Sequence, residues 1–248
     1  MLKKGIQILY TAWCAIWFVG IMIALSPFTV IPRLISPKLD KFSYFFARVW
    51  VFLFSMVSFV HFKTHNRKLV QRGQPYIFTI NHTSFLDAPA IPRAIPVPLK
   101  GLGKKELAKI PLFGFIASSF AVWVDRTSEE SRKKSVQKLV KNLNRGLSIM
   151  VAPEGTRNNT DEPLLPFYNG PFRLAIETGT PIMPLIIHDA KRLMPKGQLG
   201  LRPGLIHNYF LPPISTQNMT QEDLPALKDQ VYEMMKSKII ELDEKNKR

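Results

Sequence analysis

Cysteine is nearly absent. Cys14 is the only one in 248 residues, so no disulfide forms within the chain, and this usage fits a reducing compartment. Acids are scarce as well, 18 against 34 lysines and arginines, which leaves a net charge of +16. No G-x-S-x-G elbow occurs, and Cys14 sits in an apolar run, so a covalent acyl-enzyme is not indicated. Neither G-x-x-x-x-G-K nor G-x-G-x-x-G is present, which argues against a nucleotide-phosphate site. His61, His65, His188 and His207 show no spacing with Cys, Asp or Glu that would build a metal site. Internal repeats and low-complexity linkers are also missing.

Long apolar runs and basic charge are what the chain does have. Ile6–Leu25 carries no charge and as a helix would be about 30 Å long, the thickness of a bilayer's hydrocarbon core. Lys3 and Lys4 precede it, and no small-residue cleavage site marks it as a signal peptide. A second apolar segment, Phe42–Phe62, is rich in aromatics and interrupted by Arg48, which can snorkel to the headgroup boundary. Pro27, Pro32 and Pro37 fall between the two, in Ser26–Lys41, and are expected to break any continuous helix. Two spans, a hairpin dipping into one leaflet and a buried pair of core helices all fit this pattern. The basic excess lies beside these runs: residues 1–62 hold six Lys/Arg against one acid and residues 63–126 hold ten against three. An anionic membrane surface attracts such a patch, by about 1 kcal/mol per basic residue near it. Nucleic acid would attract it too, but no interleaved aromatic-basic motif occurs outside the apolar segments, so nucleic acid is not expected as a partner.

From about Thr64 the pattern becomes an alternation of short apolar runs and amphipathic stretches. Strands are predicted at Tyr76–Ile80, Phe120–Val124, Leu147–Ala152, Ile182–His188 and Leu205–Leu211, and helices at Ser128–Asn144, Pro171–Thr178 and Thr220–Glu244. That order implies an α/β layer with a mostly parallel sheet flanked by helices. The division expected is a two-helix membrane anchor over 1–62 and a catalytic domain over 63–248.

Two strand ends carry the chemistry. After Tyr76–Ile80 comes Asn81-His82-Thr83-Ser84-Phe85-Leu86-Asp87, with a histidine and a carboxylate five residues apart. On a regular helix that offset turns the side chains about 140° apart, so they converge only if His82 lies in a turn and Asp87 in a first helical turn. Ser84 to Asp87 has the spacing of a capping box, so a helix can start at Ser84. The same spacing supports a plainer alternative, in which Asp87 satisfies backbone donors and His82 is a bonded core residue. A neutral imidazole oriented by a carboxylate takes a proton from a hydroxyl near neutral pH. Seventy residues on, Leu147–Ala152 ends in Pro153-Glu154-Gly155-Thr156-Arg157, a turn that presents a guanidinium suited to phosphate. Backbone N–H groups near Thr83–Phe85 are candidate oxyanion donors.

NHTSFLD and PEGTR resemble the first and third signature blocks of the glycerolipid acyltransferases, the family of 1-acyl-sn-glycerol-3-phosphate acyltransferase. Lys104-Lys105-Glu106-Leu107, Ile110–Gly114 and Val124-Asp125-Arg126 resemble the second block, and Pro181–Ile186 the fourth. Two departures leave the acceptor open: Ala152 stands where an aromatic is common, and Tyr168-Asn169-Gly170 where a lysine often precedes the glycine. The resemblance implies that His82 and Asp87 are catalytic and that Lys104, Glu154, Gly155, Thr156 and Arg157 bind the phosphorylated acceptor. Arg126, after Val124-Asp125, reads as structural, pairing with Glu154. It implies no cofactor, acyl-CoA or acyl carrier protein as co-substrate, lysophosphatidic acid and anionic membrane lipids as partners, and a membrane location with the catalytic part on the cytoplasmic side. Acylation of the sn-2 hydroxyl to give phosphatidic acid is the reaction expected. The rivals are acylation of another lysophospholipid or a lyso-ornithine lipid, and a basic membrane-binding protein without catalysis.

Overall fold

The structure is a computed structural model that describes residues 2–125, 127–195 and 200–247. Two helices lead, α1 (Leu2–Ile35) and α2 (Asp40–Ser58). Helix α1 does not break where expected but runs through Pro27 and Pro32. Pro27 has no N–H for the carbonyl of Ile23, and the Ser26 hydroxyl donates to that carbonyl instead, at 2.8 Å. The chain turns only at Ser36-Pro37. The pair is pinned along its length: the indole N–H of Trp13 donates to Val57 O at 2.9 Å and that of Trp50 to Phe18 O at 3.1 Å, and the Tyr10 hydroxyl reaches Ser58 O.

Alternating strands and helices follow: β1 (Val60–His65), β2 (Ile77–Ile80), α3 (Asp87–Ala94), β3 (Leu99–Lys104), α4 (Phe113–Ala117), β4 (Ala121–Val124), α5 (Glu129–Asn144), β5 (Ser148–Val151), α6 (Gly170–Thr178), β6 (Ile182–His188), α7 (Ala190–Leu193), β7 (Gly204–Phe210) and α8 (Leu224–Lys247). The strands form one seven-stranded sheet in the order β1-β7-β6-β2-β5-β3-β4. All neighbours are parallel except β6 and β7, so β7 and β1 run against the other five. The α/β class and the mostly parallel sheet are therefore as the sequence implies. Two strands went unread: β1, whose first three residues close the second apolar segment, and β3, interrupted by Gly101 and Gly103.

Strand alternation sends Phe78 and Ile80 to one face, against α1, α2 and α3, and Ile77 to the other, against α5, α6 and α8. A fully buried side chain of this kind contributes about 1.5–3 kcal/mol. Cys14, Ile21, Tyr44 and Phe54 of the leading helices share one cluster with Phe78 and Met183 of the sheet. The opposite flank of these helices stays bare, with Leu9, Ile16, Leu34 and Phe45 all more than half exposed. Within α1, Lys4–Ile35 is long and apolar enough to cross a bilayer, with a mean hydropathy of 2.2 over its most apolar window.

Candidate active site

Five strands, β6, β2, β5, β3 and β4, end at one edge of the sheet, and the motifs are there. Beyond Ile80 the Asn81 side chain continues the ladder to β6: its amide donates to Ile187 O at 3.0 Å and its oxygen accepts from Ile187 N–H at 2.8 Å. That fixes where the chain leaves the sheet. His82 lies in the turn that follows and Asp87 opens α3. Nδ1 of His82 is 2.8 Å from Oδ2 of Asp87, whose side chain is buried while the imidazole is about a third exposed. With the Nδ1 proton on this bond, the Nε2 lone pair is left for a substrate proton.

Oδ2 of Asp87 also accepts the backbone N–H groups of Thr83 at 2.9 Å and Ser84 at 3.0 Å. These two donors therefore point inward, and the expectation that they serve as oxyanion donors is corrected: the carboxylate that orients the imidazole has taken them. Helix α3 starts three residues later than expected, because Ser84 forms only half of the capping box. Its N–H meets Asp87, while its hydroxyl donates to Met194 O at 3.0 Å.

The second motif is clamped onto the first. Glu154 is buried; Oε1 accepts the His82 N–H at 2.8 Å and Oε2 accepts the Leu165 N–H at 2.9 Å. Burial pushes its carboxyl above the usual carboxylate range, against the pull of those two donors. On the other side of the same residue, Asn158 N–H donates to His82 O at 2.7 Å. Gly155 permits the turn: its φ is 68°, and a Cβ there would sit 2.7 Å from the Tyr168 ring. Thr156 is exposed at the tip. Arg157 lies over the Phe85 ring, 3.8 Å from its centroid, and its Nη1 is buried with no hydrogen-bond partner among the described residues.

Lys104 ends β3, two strands from β2, exposed and 3.6 Å from Glu106; it shares the edge with His82 but not this network. Arg126 and its pairing with Glu154 lie outside the described residues. Sequence reasoning gave no side-chain role to Asn81, Phe85 or Asn158, although each lies in or beside a motif it named. Among the described residues no group of His, Cys, Asp and Glu is arranged to hold a metal.

Behind the site is an apolar cavity of about 270 Å³, walled by Phe18 of α1, Trp50 of α2, Ile91 of α3, Trp123 of β4 and Met150 of β5. It reaches Ala88, the residue after Asp87. The chain keeps a wall thin at Gly103, where a Cβ would meet the Trp123 ring at 2.6 Å.

The family model described as Acyltransferase matches residues 61–188. An uncharacterized acyltransferase of Schizosaccharomyces pombe, C1851.02, is 28% identical over 214 residues, 82% of this chain and 74% of that protein. The 1-acyl-sn-glycerol-3-phosphate acyltransferase of Saccharomyces cerevisiae is 31% identical over 165 residues, 65% of this chain but only 54% of that enzyme. The crystal structure of the 1-acyl-sn-glycerophosphate (LPA) acyltransferase PlsC from Thermotoga maritima shares the fold, with a TM-score of 0.80 over 97% of this chain and 98% of the other at 22% identity. The family match takes in both strand ends and covers more than half of the sequence, and the chain belongs to the acyltransferase family of enzymes.

Proposed function

We propose that the chain transfers a fatty acyl group from acyl-CoA or acyl carrier protein to the sn-2 hydroxyl of 1-acyl-sn-glycerol 3-phosphate. One observation carries this reading above the others: an imidazole held by Asp87 sits beside a guanidinium with an unpartnered buried N–H, on two turns locked together through the backbone of His82. In the reaction, Nε2 of His82 takes the hydroxyl proton as the oxygen attacks the thioester carbon. The carbon–sulfur bond breaks, and the thiolate leaves with that proton. Asp87 stabilises the imidazolium meanwhile. Arg157 holds the acceptor phosphate with its planar fork. Glu154, with both oxygens on backbone donors, positions His82 and does not meet the phosphate directly; Gly155 and Thr156 shape the turn, and Lys104 supplies positive charge at the rim. The cavity beside Ala88 takes an acyl chain, since a nearly wholly apolar lining offers a thioester tail what it needs and a polar substrate nothing.

The two leading helices hold the enzyme at the bilayer, and the basic excess suits the anionic cytoplasmic leaflet. Both lipids partition into membrane, so a free-floating enzyme would meet them rarely. The test is an assay of membranes holding the protein with a labelled acyl donor and a panel of lysolipids. Lysophosphatidic acid should be acylated fastest. Equal acylation of a monoacylglycerol without phosphate would remove the acceptor assignment, and preference for another lysophospholipid or a lyso-ornithine lipid would move the headgroup.

A further inference from the structure

Arginines without acids gather at the edge of the sheet opposite His82. Strand β1 runs against β2, so its far end, and Arg67 in the short turn after it, lie away from the motif edge. Helix α3 starts at Asp87 and carries Arg93 in its last turn. Arg48 lies on the face of α2 that meets that last turn. Tyr44 and Phe52 lie four residues to either side of Arg48, on the same helix face. The Tyr44 hydroxyl donates to Ile95 O at 3.1 Å, and the Arg93 guanidinium sits 6.0 Å from the Phe52 ring centroid. Arg67 is held below its ordinary range by its own burial first, then by Arg48, Arg93 and Arg72.

None of these four arginines enters an ion pair among the described residues. The Nε of Arg48 is buried and has no hydrogen-bond partner there either. Elsewhere the chain does supply the counter-charge: buried Asp40, on α2 as well, lies 2.7 Å from Lys100 and 2.9 Å from Arg145. Like charges drawn together with a buried donor unmet are costly, and a multivalent anion relieves both costs at once. Guanidinium forks match phosphate oxygens. The flank beside the cluster is apolar and bare, with Phe45 and Phe52 about half exposed, so an anion carrying acyl tails fits it best.

We propose that Arg48, Arg67 and Arg93 form a second, non-catalytic site for a phosphate group, supplied by a phospholipid headgroup whose tails lie along α2. It is separate from the acceptor phosphate at Arg157 and makes no use of the chemistry there. The test follows thermal unfolding of the full chain in detergent, in an Arg157→Ala background so that the catalytic edge is removed from the comparison. Short-chain phosphatidylglycerol should raise the midpoint, and an uncharged diacylglycerol of the same chain length should not. Inorganic phosphate distinguishes the sources: a smaller rise than with phosphatidylglycerol assigns the site to lipid, and an equal rise assigns it to the free anion. Adding Arg48→Gln and Arg93→Gln should abolish the response. Should that variant fail to fold, Arg72→Glu, an exposed change that sets a carboxylate at the rim, should weaken it in the same way. No rise with phosphatidylglycerol, an equal rise with diacylglycerol, or a full response in the folded variants would overturn the proposal.

Discussion

Glu154 holds the backbone N–H of His82 at 2.8 Å with one oxygen and that of Leu165 at 2.9 Å with the other. The carboxylate thus ties the turn after β2 to the segment that follows the Arg157 turn. Its value is geometric, because proton transfer needs the imidazole within hydrogen-bond reach of the acceptor hydroxyl. Glu154→Gln keeps one acceptor oxygen and turns a donor toward the other N–H. One buried backbone N–H then goes unpaired, at about 1–3 kcal/mol. We expect a lower unfolding midpoint and a lower kcat, with a larger loss for Glu154→Ala. Unchanged melting and turnover in both variants would mean that the tie does nothing.

His82→Ala should lower acyl transfer by about 10²–10⁴-fold, the usual worth of a positioned general base. Asp87→Asn should be impaired too. Oδ2 of Asp87 receives three donors, and an asparagine can turn an oxygen to them but brings no charge to the imidazolium. Both proteins should remain on membranes, since neither residue belongs to the leading apolar helices. Purified His82→Ala with near-normal turnover removes the base assignment.

Arg157→Ala should raise KM for the phosphorylated acceptor and leave that for the acyl donor nearly alone. The charge-assisted contact deleted is worth about 1.5–3 kcal/mol, roughly ten- to a hundredfold. Arg157→Lys should rescue partly, because an ammonium lacks the fork. Phe85→Leu removes the ring beneath Arg157 and should give a weaker version of the same KM effect, about 0.5–2 kcal/mol. Equal effects on both substrates would make Arg157 a structural residue.

Residues that signal through local chemistry were legible in the sequence, and those that act through tertiary contact were not. Five strands and three helices followed from runs of Val, Ile, Leu and Phe, and the structure adds the cap at Ser128, whose hydroxyl accepts the Ser131 N–H at 3.2 Å. Strand β3 was missed because Leu99–Lys104 contains two glycines and two lysines, and Lys100 is a core residue through distant partners, Asp40 sixty positions away and the Ser119 carbonyl. The helix break at Pro27 failed because propensity cannot anticipate a serine hydroxyl replacing a missing donor. At the site, spacing allowed His82 and Asp87 to converge but left the plainer reading open, and it was the resemblance across the later blocks that favoured the pair. The roles of Thr83 and Ser84 could not be read, since whether an N–H faces substrate or carboxylate depends on turn geometry that spacing leaves open.

His188 ends β6 with Nδ1 3.1 Å from Asp189 and Nε2 2.9 Å from Asp243 of α8. Burial pulls its pKa down, but the hydrogen bonds to the two carboxylates outweigh it and hold the imidazole above its ordinary range. A folded pKa raised above the unfolded value gives stability that is complete below about pH 6.5 and lost as pH rises through the folded value. His188→Gln should therefore melt lower than the parent at about pH 6, by roughly 2–4 °C for each kcal/mol lost, and the gap should narrow toward about pH 9. A gap that widens with pH would mean that the neutral imidazole is the stabilising form.

Attachment to membranes should rest on apolar burial more than on charge. Lys4–Ile35 of α1 carries its hydropathy of 2.2 with only 22% of that window buried against the protein, so most of its apolar surface is left for lipid. Each large apolar side chain taken out of water contributes about 1.5–3 kcal/mol, and the flank includes Leu9, Ile16 and Leu34. Salt at about 1 M screens the basic face to within about 3 Å, yet leaves apolar insertion intact. The full chain should therefore stay in the membrane pellet through a high-salt wash and an alkaline wash, and detergent should extract it. Phospholipid held at the arginine cluster would add to this retention at low salt but could not sustain it at high salt. Release by salt alone would make charge the principal attachment and α1 a helix that lies on the surface.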